Sequence, residues 1–428
     1  MNNTFIKPQN LPETLVWYYI IGTYGIYYLG AQFVFAPLLG CFLAIYFLKQ
    51  WWEQPQKLGE NTISISLLTW VWIVAVLLIE ITLIVGHIDF GLGIGKLVNS
   101  SINRWLRTWA LFALFPLAGH LTIRPKIIYR AICILCFQSL IATIIAISVG
   151  LLHIPEITYI SPLKVLGGGE LFYTVQVFGS LIEEDARRLN LFAPWAPALG
   201  MTGTIYFWLA EQEANNKWRW LGIAGAVAMI LTSVSRLAIL CIPIVLLIKF
   251  LLLKFFNPWV QFLAGLVSLI VGIASTTLIN LLHTFEERFN RFRSGSSRVR
   301  AVLGRIALER WWNEAPIWGH GTIEPRGPAI TGHMPIGTHH TWLSVLFMHG
   351  LVGCTILVIA LFWSFLDLLM KAPIYKTANV GLSIILTIFI FSFGENIDSL
   401  TYMYWPGLLL LGIAFKEEAL AHEKAISC

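Results

Sequence analysis

Apolar runs long enough to cross a lipid bilayer recur along almost the whole chain of 428 residues. Hydrophobic residues make up 57% of the sequence and charged residues only 12%, so polar groups cannot cover its surface in water. A helix of about 20 residues crosses the hydrocarbon layer, which is about 30 Å thick. We therefore predict an all-α polytopic integral membrane protein with about twelve transmembrane helices. The predicted spans are residues 15–30, 32–48, 64–86, 103–123, 127–152, 193–211, 218–234, 236–254, 258–282, 341–368, 377–394 and 401–415.

The loops between these spans predict which side of the membrane each part of the chain faces. If both termini are cytoplasmic, the inner side holds fourteen basic residues and the outer side seven, leaving the loop 284–340 aside. This is the bias that the positive-inside rule expects, and it places two long loops on the outer face. The predicted parts are 1–152, N-terminal transmembrane helices; 153–192, first long outer loop; 193–283, central transmembrane helices; 284–340, large arginine-rich outer loop; and 341–428, C-terminal transmembrane helices with a short cytoplasmic tail.

The loop 284–340 contains eight arginines and no lysine. Positive charge on the outer side runs against the general bias, so it needs a local reason such as an anionic partner. The planar guanidinium of arginine can donate two parallel hydrogen bonds to one phosphate, whereas the ammonium of lysine is a mobile point charge. The loop ends in His339 and His340, at the edge of an apolar helix. Together these features predict chemistry on a lipid-linked phosphate.

A short amphipathic helix is predicted inside this loop, ending before Pro316. Its apolar residues, among them Val299 and Leu303, lie on one side, and Arg298 and Arg305 lie on the other. Such a helix can lie on the membrane surface with its arginines at headgroup level. A solvated helix that is merely attracted to anionic lipids would have the same pattern, and that alternative stays open here.

The sequence of this loop resembles a known membrane family. The stretch SSRVRAVLGRIALERWWNEAPIWGHG, followed by GTHHTWLSVLFMHGLVG, resembles the signature of the O-antigen ligase and O-antigen polymerase superfamily. That signature has an arginine that opens a helix, a proline, a Gly-x-Gly, a histidine and a Gly-x-x-Gly. The matching positions are Arg298, Pro316, Gly319, Gly321, His339, Gly350 and Gly353.

Two further stretches carry the resemblance upstream. The segment SVSRLAIL is similar to the family's Ser-Arg at the mouth of a span and matches it with Arg236. The segment RRLNLFAPWAPALG is similar to its earlier outer-loop arginine, which is matched by Arg187 or Arg188. Arg187 is favoured because it lies five residues before Phe192, as the family spacing implies.

The resemblance implies a GT-C-like membrane glycosyltransferase that works without a metal ion at the periplasmic face of a bacterial inner membrane. Members take a glycan from undecaprenyl diphosphate and join it to an acceptor hydroxyl. The acceptor is the lipid A core in ligases and another glycan in polymerases, and the sequence does not separate the two. No HxH or HExxH spacing occurs, so we predict no metal site and no cofactor. The expected partners are this donor, the acceptor and the lipid bilayer, without nucleic acid.

The chemistry of such a transfer assigns roles to the matching residues. The carrier diphosphate leaves with negative charge, which arginines can hold, and the acceptor hydroxyl must lose a proton. Histidine suits the second task because its ordinary pKa is about 6.5. We expect His339 to be the general base, with His340, which stands where the family has asparagine, as the alternative. The expected diphosphate clamp is Arg187, Arg236 and Arg298, with Arg188 and Arg305 in second place.

Two other interpretations of the same residues remain. His339 could simply anchor the start of a membrane helix, as interfacial histidines do. The chain could also be a transporter or a transport component, for example for bicarbonate. Transporters usually keep polar binding groups near the bilayer midplane, whereas the centres of the predicted spans are nearly free of charge. The sequence therefore favours an enzyme acting at the membrane surface.

Overall fold

The computed structural model describes residues 6–53, 64–183, 186–275, 279–280, 294–324 and 326–426. Helices dominate these residues because apolar side chains fill the bundle and every helix satisfies its own backbone hydrogen bonds. The α-helices are α1 (Leu11–Ile21), α2 (Thr23–Tyr28), α3 (Gln32–Trp52), α4 (Leu67–Asp89), α5 (Ile94–Ser100), α6 (Leu111–Ala118), α7 (Pro125–Leu151), α8 (Ala196–Glu211), α9 (Asn216–Thr232), α10 (Arg236–Leu253), α11 (Pro258–Ile273), α12 (Ser294–Glu314), α13 (Thr341–Lys371), α14 (Lys376–Phe391) and α15 (Thr401–Ile426).

Each predicted span overlaps one of these helices or a pair of them, and a π-helical segment, Ser101–Trp109, leads into α6. Within the described residues, five helices are long and apolar enough to cross a membrane, which agrees with the predicted helical membrane protein. They are α3, α4, α7, α10 and α13. The count of twelve spans, the boundaries of the five parts and the sides of the membrane stay predictions.

The expectation of an all-α chain was wrong for the segment 153–192. It contains two antiparallel hairpins, one formed by β1 (Thr158–Ile160) with β2 (Thr174–Gln176) and one by β3 (Ser180–Glu183) with β4 (Ala186–Leu189). The strands have only three or four residues, too few for a two-residue periodicity to stand out in the sequence. Pairing satisfies backbone groups that this connecting segment would otherwise leave without partners.

Helix α8 packs against α9 and α14, which run in the opposite direction, and against α10, which runs in the same direction. The starts of α8, α10, α13 and α15 and the ends of α9 and α14 therefore gather at one end of the bundle. We call this the histidine end, because α13 begins directly after His340. The ends of α8 and the starts of α7 and α9 lie at the opposite end.

Helix α13 is broken at Gly350, whose φ of 62° is left-handed. The segment 316–321 lies in the break and replaces the missing helical hydrogen bonds. The Leu351 N–H donates to the Pro316 carbonyl at 2.9 Å, and the Gly321 N–H donates to the Met348 carbonyl at 2.9 Å. A Cβ at Gly350 would collide with the Ile317 carbonyl oxygen, so this close backbone approach requires glycine.

Helix α12 crosses the first turns of α13 through the apolar face that the sequence predicts. Leu303 is buried and Val299 packs beside it in a small cluster that includes Phe347 of α13. At Gly304 the two helices come so close that a Cβ would lie 2.8 Å from Leu343 Cδ1. This packing brings the arginine-rich helix next to the histidine pair.

Candidate functional site

The two neighbouring histidines have different tasks at the start of α13. His340 is the N-cap residue: its Nδ1 accepts the Leu343 N–H at 3.4 Å. The His340 N–H itself donates to Asn396 Oδ1 at 3.0 Å. His339 has a left-handed backbone with φ 68°, which is unusual for a residue other than glycine. Within the described ranges the His339 ring forms no hydrogen bond, so its nitrogens are available to a substrate.

The loop between α14 and α15 fixes this helix start. The Thr341 hydroxyl donates to the Glu395 carbonyl at 2.6 Å and accepts the Ile397 N–H at 3.1 Å. The Thr341 N–H donates to the Ser392 carbonyl at 3.0 Å. Since these bonds join two helix termini, the histidine pair has little freedom to move relative to residues 392–397.

A buried carboxylate lies in the same loop. The Glu395 residue is 4% exposed, and its Oε2 accepts the indole N–H of Trp195 at 3.0 Å. Its Oε1 lies 3.8 Å from Nη2 of Arg300, an arginine of α12 whose side chain is 46% exposed. Arg300 therefore bridges the arginine-rich helix and the loop that holds the histidines. One guanidinium edge faces the carboxylate while nearly half of the side chain remains open to solvent or to a ligand.

The charges of this site act on one another. Burial lowers the pKa of His339 below its ordinary value, and the positive charge of Arg300 lowers it further. Burial raises the pKa of Glu395 to about 7, against the opposing effects of Arg300 and of the Trp195 hydrogen bond. At neutral pH His339 is therefore mostly neutral, which is the form that can accept a proton.

Arg236 begins α10 directly beside this loop. Ser235 caps the helix, with its hydroxyl accepting the Ala238 N–H at 3.4 Å. The next residue, Leu237, packs so closely on the loop that a Cβ at Gly394 would lie 3.1 Å from its Cδ2. Arg236 is half-buried at this junction. The structure thus places the start of α10 beside the loop that binds the start of α13.

The other predicted arginines are distributed differently. Arg305 is exposed on α12, and among the described residues it forms no ion pair or hydrogen bond. Arg298 lies in the first half of α12, but its side chain is outside the described residues, as is that of Arg187. Arg188 is 5% exposed within β4, where it pairs with Leu181 of β3. The diphosphate roles of all five predicted arginines stay predictions.

Two residues of this site, Arg300 and Trp195, were missing from the candidates drawn from the sequence. Arg300 was one of the eight loop arginines, and Trp195 belongs to a distant part of the chain. Glu395 is a charged residue between two apolar runs on the predicted outer face, and from this position it could be expected to orient His339 or an arginine. Nothing in the sequence singles out Arg300 from its neighbours, because its choice depends on how α12 packs.

No group of three or more His, Cys, Asp or Glu side chains within the described ranges could hold a metal ion. His320, for example, is engaged with Glu314, whose Oε2 lies 2.8 Å from its Nε2, and with the Phe347 carbonyl at 3.0 Å. Its ring also stacks on Phe347 at 4.2 Å. These contacts identify His320 as part of the anchor between the segment 316–321 and α13.

The comparisons with known proteins agree with the resemblance predicted from the loop. Residues 221–358 match the family model Wzy_C, whose description is O-antigen ligase. The matched region runs from α9 into α13, and it includes Arg236, the arginine-rich helix and both histidines. No curated protein matches the chain. The match confirms the predicted relation to the O-antigen ligase superfamily.

Proposed function

Because residues 221–358 carry an O-antigen ligase domain, we propose that this membrane protein transfers a glycan from a polyprenyl diphosphate to an acceptor hydroxyl. His339 acts as the general base, and arginines at the histidine end hold the diphosphate. The reaction takes place at the periplasmic face of the bacterial inner membrane and uses no metal ion. The donor is an undecaprenyl-diphosphate-linked oligosaccharide or polysaccharide, as in the related enzymes.

The proposed step exchanges one bond for another. The acceptor oxygen forms a bond to the anomeric carbon of the donor glycan, and the bond between that carbon and the phosphate oxygen breaks. The carrier diphosphate departs with the electron pair, while the hydroxyl proton passes to His339. The barrier falls because fixed positive charges stabilise the leaving diphosphate and a neutral imidazole stands ready to take the proton.

One observation carries the proposal: Arg300 of the arginine-rich helix lies 3.8 Å from Glu395, in the loop that is hydrogen-bonded to Thr341 directly after the histidine pair. A base and a phosphate-binding group must belong to one site, since the incoming hydroxyl oxygen and the departing phosphate oxygen are both partly bonded to the anomeric carbon in the transition state. An interfacial histidine that only anchored a helix would not need an arginine beside it. His340, whose Nδ1 caps the helix, is the better candidate for that structural task.

The proposal gives the arginines near the histidine end different roles. Arg187, Arg236 and Arg298 contact the diphosphate as the family resemblance implies, and Arg188 and Arg305 remain second-tier candidates. Arg300 joins them because its exposed half can face the leaving group while Glu395 holds the other half. Glu395 is then a positioning residue, since it acts through Arg300 and through the loop that binds Thr341.

Reconstitution in proteoliposomes tests the proposal. The donor is an undecaprenyl-diphosphate oligosaccharide, and separate arms offer lipid A core or a second carrier-linked glycan as acceptor. We expect product in one arm without added divalent cations, and a loss of about a hundredfold for Arg236→Ala and Arg298→Ala. The matched control is Arg326→Ala, which removes an exposed arginine of the same loop and should leave the rate unchanged.

The two acceptor arms separate ligase from polymerase, because a ligase requires the lipid A core and a polymerase lengthens the carrier-linked chain. Absence of transfer in both arms, together with ion flux through the same vesicles, would replace the proposal with the transporter alternative. Equal losses for the two arginine variants and the control would show that general loop charge, and not a diphosphate clamp, supports the reaction.

A further inference from the structure

A cavity lined by basic and apolar side chains lies at the end of the bundle opposite the histidine end. Its volume is about 510 Å³, and its walls include Lys7, Arg124, Lys126, Tyr129 and Glu213. Helix α8 separates this cavity from Trp195 by its full length of 16 residues, which corresponds to about 24 Å. The cavity is therefore remote from the proposed transfer site, and a volume of this size can hold a small ligand or a headgroup.

The charges around the cavity do not cancel. Arg124 binds the buried Glu13 through two hydrogen bonds of 2.6 Å each, and Glu213 binds Arg130 at 2.7 Å. Each of these acids is thus neutralised by its own arginine. Lys126, in contrast, is exposed and forms no ion pair or hydrogen bond with the described residues.

Lys7 on the facing wall is also exposed, and its ammonium group has no partner in the described part of the chain. Its carbonyl accepts a hydrogen bond from Arg124 Nη2 at 2.8 Å, which fixes this segment against the wall. Two uncompensated positive charges, those of Lys7 and Lys126, therefore remain at one cavity. A further positive contribution comes from the start of α7, since Lys126 and Tyr129 belong to the first turns of this helix of 27 residues.

We propose that this cavity binds the phosphate of an anionic membrane lipid headgroup. Two uncompensated lysines and a helix start favour a phosphate over a neutral headgroup. A lipid is the source that the surroundings favour, because Ile6 and the buried Tyr129 give the cavity apolar wall as well. The exposed Trp220 in the first turns of α9, at the same end, is typical of a side chain at the level of lipid headgroups. The site is independent of the proposed glycan transfer.

Native mass spectrometry of the full chain in neutral detergent tests this site with phosphatidylglycerol and phosphatidylcholine as probes. A basic residue near an anionic headgroup contributes about fivefold in affinity. We therefore expect Lys7→Gln combined with Lys126→Gln to weaken phosphatidylglycerol binding about 25-fold and to leave phosphatidylcholine binding unchanged. The matched control combines Lys217→Gln with Lys254→Gln, which removes two exposed lysines of the same end outside the cavity.

Equal affinity of the wild type for the two lipids would overturn the proposal, and so would undiminished phosphatidylglycerol binding by the cavity double variant. A third arm adds inorganic phosphate. If phosphate displaces the lipid at millimolar concentration and its own binding requires the same two lysines, the natural ligand is a soluble phosphate compound and the lipid assignment is wrong. Thermal unfolding in detergent shows whether each variant is folded. If the cavity double variant is not folded, lipid binding is measured with Lys7→Gln alone.

Discussion

The roles of His339 and His340 can be distinguished by replacing each residue with asparagine. Asparagine tolerates the left-handed backbone of position 339, where φ is 68°, but it cannot act as a base. At position 340 asparagine is among the best N-cap residues, so it can accept the Leu343 N–H that His340 accepts now. One substitution type therefore tests catalysis at one position and structure at the next.

The expected magnitudes differ widely. Loss of a general base costs about 10²- to 10⁴-fold in rate, which corresponds to about 3–5 kcal/mol of transition-state stabilisation. For His340→Asn we expect a change in unfolding free energy within about 0.5 kcal/mol, because a cap bond of 3.4 Å is long and asparagine can replace it. The rate of this variant should remain within about threefold of the wild type.

Single-turnover transfer from an undecaprenyl-diphosphate oligosaccharide measures the two rates, and thermal unfolding in detergent measures the two stabilities. His339→Asn should lose turnover without losing stability. The assignment of the base would be refuted if His340→Asn were inactive while His339→Asn kept its full rate. If both variants kept it, no base would be required at the start of α13, and the proposed mechanism would be wrong as a whole.

Three other outcomes follow from the geometry of the site. Arg300→Gln removes a positive charge that lowers the pKa of His339, so the acid limb of the pH–rate profile should move to higher pH. An unmoved limb would contradict the role of His339 as the base beside this charge. Gly350→Ala should destabilise the fold by at least about 2 kcal/mol in detergent unfolding, whereas Gly265→Ala, which meets open space in α11, should change it by less than about 1 kcal/mol. Trp195→Phe removes the N–H group that donates to the carboxylate of the buried Glu395, whose pKa is about 7. The loss of stability should therefore be greater at pH 8, where Glu395 is ionised, than at pH 5.

The helices and the arginine-rich loop could be predicted from the sequence because both depend on local patterns. Apolar length alone locates the membrane helices, and the apolar face of α12 follows from Val299 and Leu303 at helical spacing. The hairpins of the segment 153–192 could not be predicted, since strands of three or four residues are too short to show an alternating pattern. Which side of α12 faces the site is likewise decided by tertiary packing.

The polar part of the site illustrates this limit. Glu395 joins Trp195, which lies 200 positions away, and Arg300, which lies before α13 in the chain. No local pattern relates three residues at such separations, and each of them alone is an ordinary interfacial or loop residue. The contact exists because the start of α8, the first turns of α12 and the loop after α14 meet at the histidine end of the bundle. Only the assembled helices bring the charge of Arg300 to His339.

The glycine pattern of the family signature acquires a physical meaning from this assembly. Gly319 and Gly321 belong to the segment that lies in the break of α13 at Gly350, and side chains there would collide with the backbone of residues 348–350 or with His87. This segment follows α12 directly, so the break ties the arginine-rich helix to the helix that His339 precedes. Such a backbone joint fixes the arginine-rich helix relative to the start of α13, as the proposed base and diphosphate clamp would require. The glycines are therefore part of the arrangement of the site, although none of them needs to contact the substrate.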